Sequence, residues 1–174
     1  MEKINTANCY HWYAVYVKSR AEKKAQAELE YKEIESFLPL QQKLRQWSDR
    51  KKWVEMPLIP GYLFVRISLK EHDAVLQSNY VVSYVRFEGT AAVIPDTQID
   101  YLKLMLKQDS LNIEITRETF EPGQMIEVIA GPLIGLQAKL VRIKGKDKAA
   151  VELEQLGYSA LIEISLEDIK ISNL

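Results

Sequence analysis

Cys9 and His11 are the residues whose types and spacing come closest to a catalytic pair. In a strand, residues i and i+2 lie on one face, so the imidazole of His11 could activate the Cys9 thiol as a nucleophile. Their sequence neighbourhood supplies no third group to orient the imidazole. An inert thiol is therefore the favoured interpretation, and we predict no catalytic residue.

Metal and cofactor sites also lack the residues they need. A structural zinc site takes about four cysteine or histidine ligands, whereas the chain has one cysteine and two histidines, with His72 far from the other two. Segment 131–135 contains two glycines but lacks the following Lys-Ser/Thr of a phosphate-binding loop, so it predicts a hairpin loop. We expect no metal, no cofactor and no enzyme activity.

Charge is balanced over the whole chain but not along it. The 23 basic and 24 acidic residues among 174 give a net charge of −1, which argues against binding nucleic acid by bulk attraction. Segment 18–24 holds four bases against one acid, and segment 43–53 holds five against one. From charge alone, a solvated surface is favoured over a phosphate-binding one.

The cellular compartment is inferred from the lack of a membrane span, a signal peptide and a disulfide in the sequence. The longest stretch without a charged residue, 4–17, is shorter than the roughly 20 apolar residues that span a bilayer. The first residues show no signal-peptide pattern, and a single cysteine excludes an internal disulfide. We expect a cytoplasmic protein without a membrane partner.

The elements that must position any site form an α+β layer in residues 1–108. Aromatic and β-branched residues predict strands at 12–17, 62–67 and 81–87 and shorter ones around a polar hairpin tip at 46–52. Ser19, with Glu22 as the acid of a capping box, predicts a helix to about Glu35. Further helices are predicted at about 69–77 and 98–107, the last presenting Ile99, Leu102 and Leu106 on one face.

The second half has the pattern of a small all-β barrel. Segment 109–121 shows no clean period and predicts a linker, and residues 122–174 form the predicted barrel domain. Its strands are expected at 125–129, 137–143, 149–154 and 159–164, separated by glycine-containing turns. Each alternates apolar and polar residues, which predicts one buried and one wet face.

Four aromatic residues on three predicted strands are the most informative cluster: Tyr16, Tyr62, Phe64 and Phe87. Tyr62 and Phe64 share one strand face, opposite Leu63 and Val65. We expect the helices to cover only one face of a small sheet, so an aromatic second face is either core or an exposed docking surface. Periodicity alone favours the core.

Several motifs resemble the NusG family. The first is Trp12-Tyr13-Ala14-Val15-Tyr16 with the basic segment 18–24 after it, and the most specific is Pro57-Leu58-Ile59-Pro60-Gly61-Tyr62-Leu63-Phe64-Val65, followed by segment 81–95. They resemble the NusG N-terminal (NGN) domain. Residues 122–128 and Gly131-Pro132-Leu133-Ile134-Gly135 are similar to the KOW domain, an SH3-like barrel, that completes this family.

The resemblance implies a transcription elongation factor that binds RNA polymerase and holds its clamp closed, which suppresses pausing or termination. In the family an aromatic sheet face docks on the clamp helices of the largest polymerase subunit. The matching positions here are Tyr16, Tyr62, Phe64 and Phe87, so the resemblance favours the exposed interpretation of this face. It further implies contact of the opposite polymerase jaw near His72, and contact of the non-template DNA strand by Lys18, Arg20, Lys23 and Lys24.

Two barrel loops differ from those of the general factor. Gly131-Pro132-Leu133 stands where that factor has Gly-Pro-Phe, and Leu156-Gly157-Tyr158 where it has Phe-Gly-Arg. Relatives contact a termination factor or a ribosomal protein there, so Gly131, Pro132, Leu133 and Tyr158 are the candidate partner loops. The differences indicate a specialised antitermination paralogue of the RfaH or UpxY kind, acting on operons such as those for surface polysaccharides. The alternatives are a general factor that couples polymerase to those partners and a KOW-type RNA-binding module.

Overall fold

The computed structural model describes residues 9–46, 49–108, 111–118, 120 and 123–172. They form two compact units, Met1–Asp96 and Thr97–Leu174. The first unit mixes helices and strands and the second is built mainly of strands, which confirms the predicted fold class. The predicted domain boundaries, with a linker at 109–121, stay a prediction.

The first unit is built around one antiparallel sheet whose strands follow the order β2-β5-β1-β6, with β9 also paired to β1. A separate ribbon pairs β3 with β4, and a short hairpin pairs β7 with β8. The elements are β1 His11–Val17, α1 Glu22–Tyr31, β2 Glu35–Phe37, β3 Leu40–Gln46, β4 Lys51–Pro57, β5 Tyr62–Ile67, a 3-10 turn Leu69–Glu71, α2 His72–Leu76, β6 Val81–Tyr84, β7 Arg86–Phe87, β8 Thr90–Ala91 and β9 Val93–Ile94.

One face of this sheet packs against the helices. Val15 of β1 and Leu63 and Val65 of β5 point to that face and form a buried cluster with Ala25 and Leu29 of α1. Strand alternation therefore places the other residues of β1 and β5 on the opposite face, as predicted. That opposite face is also largely buried, in agreement with the core interpretation that periodicity favours.

Helix α1 starts later and ends earlier than predicted, at Glu22 and Tyr31. Its N-cap is Ala21, which makes no side-chain cap, and Arg20 just before it has a φ of 59°. Ser19 therefore does not cap the helix. The carboxylate of Glu22 is used by a different element, described below.

Helix α3 spans Asp96–Leu106 and begins at the boundary between the two units. It buries Ile99 and Leu102, as predicted, but Met105 takes the position expected for Leu106.

The second unit is mainly one six-stranded antiparallel sheet in the order β10-β14-β13-β12-β11-β15. The four expected strands are present within a few residues of their predicted bounds. β10 lies inside the segment predicted as linker. It was not predicted as a strand because its three residues, which pair with β14, are too few to show a periodic pattern. The elements are β10 Glu114–Thr116, β11 Gln124–Val128, β12 Gln137–Ile143, β13 Lys146–Leu153, a 3-10 turn Glu154–Leu156, β14 Tyr158–Glu163, a 3-10 turn Leu166–Asp168 and β15 Ile169–Ile171.

Candidate functional site

Tyr16 and Tyr62 form a pair at one end of the sheet. They lie directly opposite each other in the β1–β5 ladder, with ring centroids 4.9 Å apart and the Tyr62 hydroxyl donating to the Tyr16 hydroxyl at 3.4 Å. Tyr16 is 40% exposed, whereas Tyr62 is only 7% exposed. Tyr16 thus presents a ring to solvent and Tyr62 supports it.

Phe64 does not belong to an exposed surface. Its side chain has 0% exposure and stacks on Phe37 of β2 at 6.1 Å, while Phe37 meets Trp12 of β1 edge-on at 6.5 Å. These rings shield one another from water, so Phe64 is core. The exposed interpretation was therefore wrong for Phe64 and Tyr62. Tyr16 and Phe87 are exposed, and their role in docking stays a prediction.

Phe87 is the second exposed aromatic of the predicted set, at 43%. It lies on β7, whose only described ladder partner is β8. Val82 of β6 is also exposed, at 59%, and the β1–β6 register shifts between Tyr16 and Val17. Tyr16, Val82 and Phe87 are here called the aromatic surface. Val82 was missed because a bulge cannot be read from alternation.

The turn before β5 positions Tyr62. The Gly61 carbonyl accepts from the Val17 N–H at 2.9 Å, and the Gly61 N–H donates to the buried Glu22 carboxylate at 2.9 Å. Gly61 has a φ of 81°, which favours glycine over any residue with a side chain. The Pro-Gly-Tyr motif and the acid of α1 are thus one structural unit.

The His72 ring is half-buried among aromatic side chains of the first unit, and its contact with a partner stays a prediction. Its ring stacks on Tyr84 at 4.6 Å and meets Tyr13 edge-on at 4.7 Å, and its backbone carbonyl accepts from the Tyr84 hydroxyl. Desolvation lowers the pKa of His72, with the nearby Asp73 charge opposing it. Its buried Nε2 has no hydrogen-bond partner within the described chain.

The basic groups at the start of α1 differ in availability. Lys18, Arg20 and Lys24 are exposed, whereas Lys23 forms an ion pair of 2.8 Å with Glu55 of β4. Of the four residues predicted to contact DNA, Lys23 is therefore already paired with an acidic side chain.

Cys9 and His11 are not brought into a site with a third group that the structure describes. Cys9 is a free, partly buried cysteine just before β1, and His11 is exposed at its start. Across the described ranges, no three His, Cys, Asp or Glu side chains lie close enough to hold a metal ion.

In the second unit, the two candidate partner loops are only partly exposed. The side chain of Leu133 is buried, whereas Ile134 beside it is exposed, next to exposed Gly131 and Pro132. Tyr158 is half-buried, and its hydroxyl accepts from Arg117 at 2.6 Å while the guanidinium lies 4.9 Å from its ring centre.

With this geometry in hand, the chain was compared with known proteins. The family model described as transcription termination factor NusG matches residues 10–103, more than half of the chain. The chain belongs to the NusG family.

Two relatives illustrate the NusG likeness. The transcription elongation factor Spt5 of Methanocaldococcus jannaschii is 38% identical over 55 residues, which are 31% of this chain and 37% of that protein. The aligned part thus spans about a third of this relative's length. A structure of Thermotoga maritima NusG, concerned with its domain interaction, has a TM-score of 0.50 at 20% identity and covers 94% of this chain and 97% of that one. This second likeness shows the fold.

The NusG match divides the candidate residues into two groups. Tyr16, His72, Phe87 and the basic residues of segment 18–24 lie inside the matched range, and the barrel loops lie beyond it. No helix in the described part of this NusG-family chain is long and apolar enough to cross a membrane.

Proposed function

We propose that this NusG-family chain is a transcription elongation factor that binds RNA polymerase and suppresses pausing or termination. The observation that carries the proposal is that the matched range 10–103 contains three exposed residues of the aromatic surface, Tyr16 and Val82 on the main sheet and Phe87 on the β7–β8 hairpin. A few rigid aromatic side chains can carry most of the binding energy of an interface. The factor acts by stabilising one conformation of its partner and catalyses no reaction.

The proposed partner of the aromatic surface is the pair of clamp helices of the largest polymerase subunit. Tyr16 and Phe87 are the anchors, and Tyr62 holds the Tyr16 hydroxyl from below. Phe64 contributes only by keeping the sheet rigid, since it is buried. Contact with the opposite jaw falls to the exposed residues around His72, such as Leu69 and Asp73, because the His72 ring is occupied by Tyr13 and Tyr84.

Contact with the displaced non-template DNA strand is assigned to Lys18, Arg20 and Lys24, which are exposed on one short segment. Such contacts add a salt-dependent affinity with little sequence preference. Lys23 contributes less, since releasing it would break its ion pair with Glu55.

The narrower part of the proposal is operon-specific antitermination of the RfaH or UpxY kind. Its support is the pair of barrel loops, where Leu133 turns inward and Tyr158 is engaged by Arg117. A surface altered in this way is a poor match to the partners of the general factor.

Antitermination is tested by transcription past a terminator in vitro, where added protein should increase read-through. Increased termination would favour the general NusG role.

Polymerase binding is tested by co-purification of the full chain with core RNA polymerase. Tyr16→Ala with Phe87→Ala should weaken binding at least about 30-fold, since the loss of even one anchor of this kind costs about 2 kcal/mol. Tyr31→Ala is the matched control, because Tyr31 is an exposed aromatic on α1 outside the aromatic surface. Equal retention of the double variant and the control would refute the assigned surface.

A further inference from the structure

The outer half of the β3–β4 ribbon is exposed to solvent. Seven cross-strand pairs join it, from Leu40 opposite Pro57 to Gln46 opposite Lys51, and it lies outside the main sheet. Residues 42–46 and 49–53 are all exposed, so neither face of its outer half is covered by another described element. An uncovered two-stranded ribbon is only marginally stable in water, so its packing alone does not account for it.

One face of the ribbon is basic. Arg45 lies directly opposite Lys52, and Lys43 lies two residues before Arg45 on the same face. Like charges directly opposite each other destabilise a sheet. Among the described residues, Lys43, Arg45 and Lys52 form no ion pair, so a bound polyanion would relieve their repulsion.

The other face carries an apolar platform beside a further cation. Trp53 is 63% exposed and lies opposite Leu44, which is 49% exposed. Lys51 lies two residues before Trp53 on this face. The acidic residues of the ribbon are balanced, since Glu55 pairs with Lys23 and Asp49 lies 3.9 Å from Arg50.

We propose that the β3–β4 ribbon binds single-stranded nucleic acid without sequence preference. An unpaired base stacks on Trp53, Lys51 contacts the adjoining phosphate, and the basic face neutralises the neighbouring backbone. Stacking on an aromatic side chain combined with a cationic track is the general mode of sequence-tolerant single-strand binding. This binding requires no polymerase, so it stands or falls separately from the proposed function.

The exposed tryptophan selects a single strand over a duplex or an acidic protein. A duplex keeps its base faces stacked and offers Trp53 only edges, and an acidic peptide offers it no ring. Single-stranded DNA and RNA share the chemistry that the ribbon recognises, namely a free base face next to a phosphate. The two are separated by the probe used.

The test is fluorescence anisotropy of the full chain with a labelled oligothymidylate of about 20 nucleotides, at about 50 and 200 mM salt. Trp53→Ala should weaken binding about tenfold, and Trp53→Phe should restore most of it. Arg45→Gln with Lys52→Gln should weaken binding and lower the slope of log affinity against log salt by about 1.4. Oligouridylate and a duplex of equal length are the comparison probes, with tighter binding of both single strands expected.

The control for charge is Lys70→Gln with Lys170→Gln, two exposed lysines outside the ribbon that change the net charge equally. This variant should bind as the wild type does. Equal weakening by both lysine-containing pairs, unchanged binding of Trp53→Ala, or tighter binding of the duplex would each overturn the proposal. So would loss on Lys18→Gln with Lys24→Gln but not on the ribbon pair, since binding would then lie at the start of α1. Because all substituted residues are exposed, circular dichroism should show an unchanged fold.

Discussion

At the scale of single residues, side chains that share a strand face differ widely in exposure. Tyr62 and Phe64 point the same way from β5, and Tyr16 lies opposite Tyr62, yet exposure falls from Tyr16 to Phe64. The difference arises because Phe64 has Phe37 beside it, whereas Tyr16 lies at the end of the ladder. One sheet face can therefore carry both an exposed side chain, Tyr16, and the buried side chains that pack beside it, Tyr62 and Phe64.

His72 gives a pH-dependent contribution to stability. Burial between Tyr13 and Tyr84 lowers its folded-state pKa, while the unfolded chain retains a value near 6.5. As the pH falls through 6.5, the unfolded state binds a proton that the folded state resists. The free energy of unfolding should therefore fall below pH 6.5, by at most about 1.4 kcal/mol per pH unit and by less because His72 is only half-buried.

The measurement is urea unfolding between pH 7.5 and about 5. His72→Phe keeps a ring between the two tyrosines and removes the titration, so its stability should depend less on pH over this range. His11→Gln is the control, since His11 is exposed, and it should keep the wild-type profile. A His72→Phe profile parallel to that of the wild type would contradict the assignment.

At the scale of elements, Glu22 joins α1 to the turn that launches β5. Its buried carboxylate is the described acceptor of the Gly61 N–H, so Glu22→Ala should destabilise the chain by about 1–3 kcal/mol. Tyr16 exposure and polymerase binding should change with it, because the turn sets the Tyr62 position. Glu30→Ala on the same helix, exposed and without a described side-chain bond, should cost far less; urea denaturation compares the two.

The main strands could be predicted from the sequence, but their partners could not. Aromatic and β-branched runs found β1 and β5, which are buried on both faces, and alternation found the strands of the second unit. The capping prediction for Ser19 failed because Glu22, the acid expected to complete it, is committed to Gly61, 39 residues away. β10 was missed because it is defined by its pairing with β14 and not by a pattern in its own three residues.

The candidate site shows the same limit. Residue types and strand alternation grouped four aromatic residues as one candidate set: Tyr16, Tyr62, Phe64 and Phe87. Alternation predicts which sheet face a side chain points to, but not whether other side chains cover that face. Ring contacts across three strands then bury Phe64, and the irregularity after Tyr16 exposes Val82. Both effects depend on residues far apart in the chain.

At the scale of the whole molecule, the chain divides into two compact units. The family match covers residues 10–96 of the first, which holds the aromatic surface and the ribbon, while the candidate partner loops lie in the second. Compact units of this size have their own cores and generally unfold as units. A destabilising substitution inside one unit should therefore lower the stability of that unit more than the stability of the other.

The Lys148–Glu114 ion pair provides that test in the second unit. Lys148 is buried, and its Nζ lies 2.6 Å from the half-exposed Glu114 carboxylate. Glu114→Gln leaves a buried ammonium without its closest charge and should cost about 2 kcal/mol, with Glu163 supplying weaker compensation. Lys148→Met keeps the volume and leaves Glu114 in water, so it should cost less than about 1 kcal/mol.

Native-state hydrogen exchange distinguishes a local from a global effect of Glu114→Gln. Amides of β13 and β14 should exchange roughly 30-fold faster, whereas those of β1 and β5 should keep the wild-type rate. Equal acceleration in both sheets would mean that the two units unfold together. Confinement to the second sheet instead means that a partner can engage the barrel without loosening the aromatic surface.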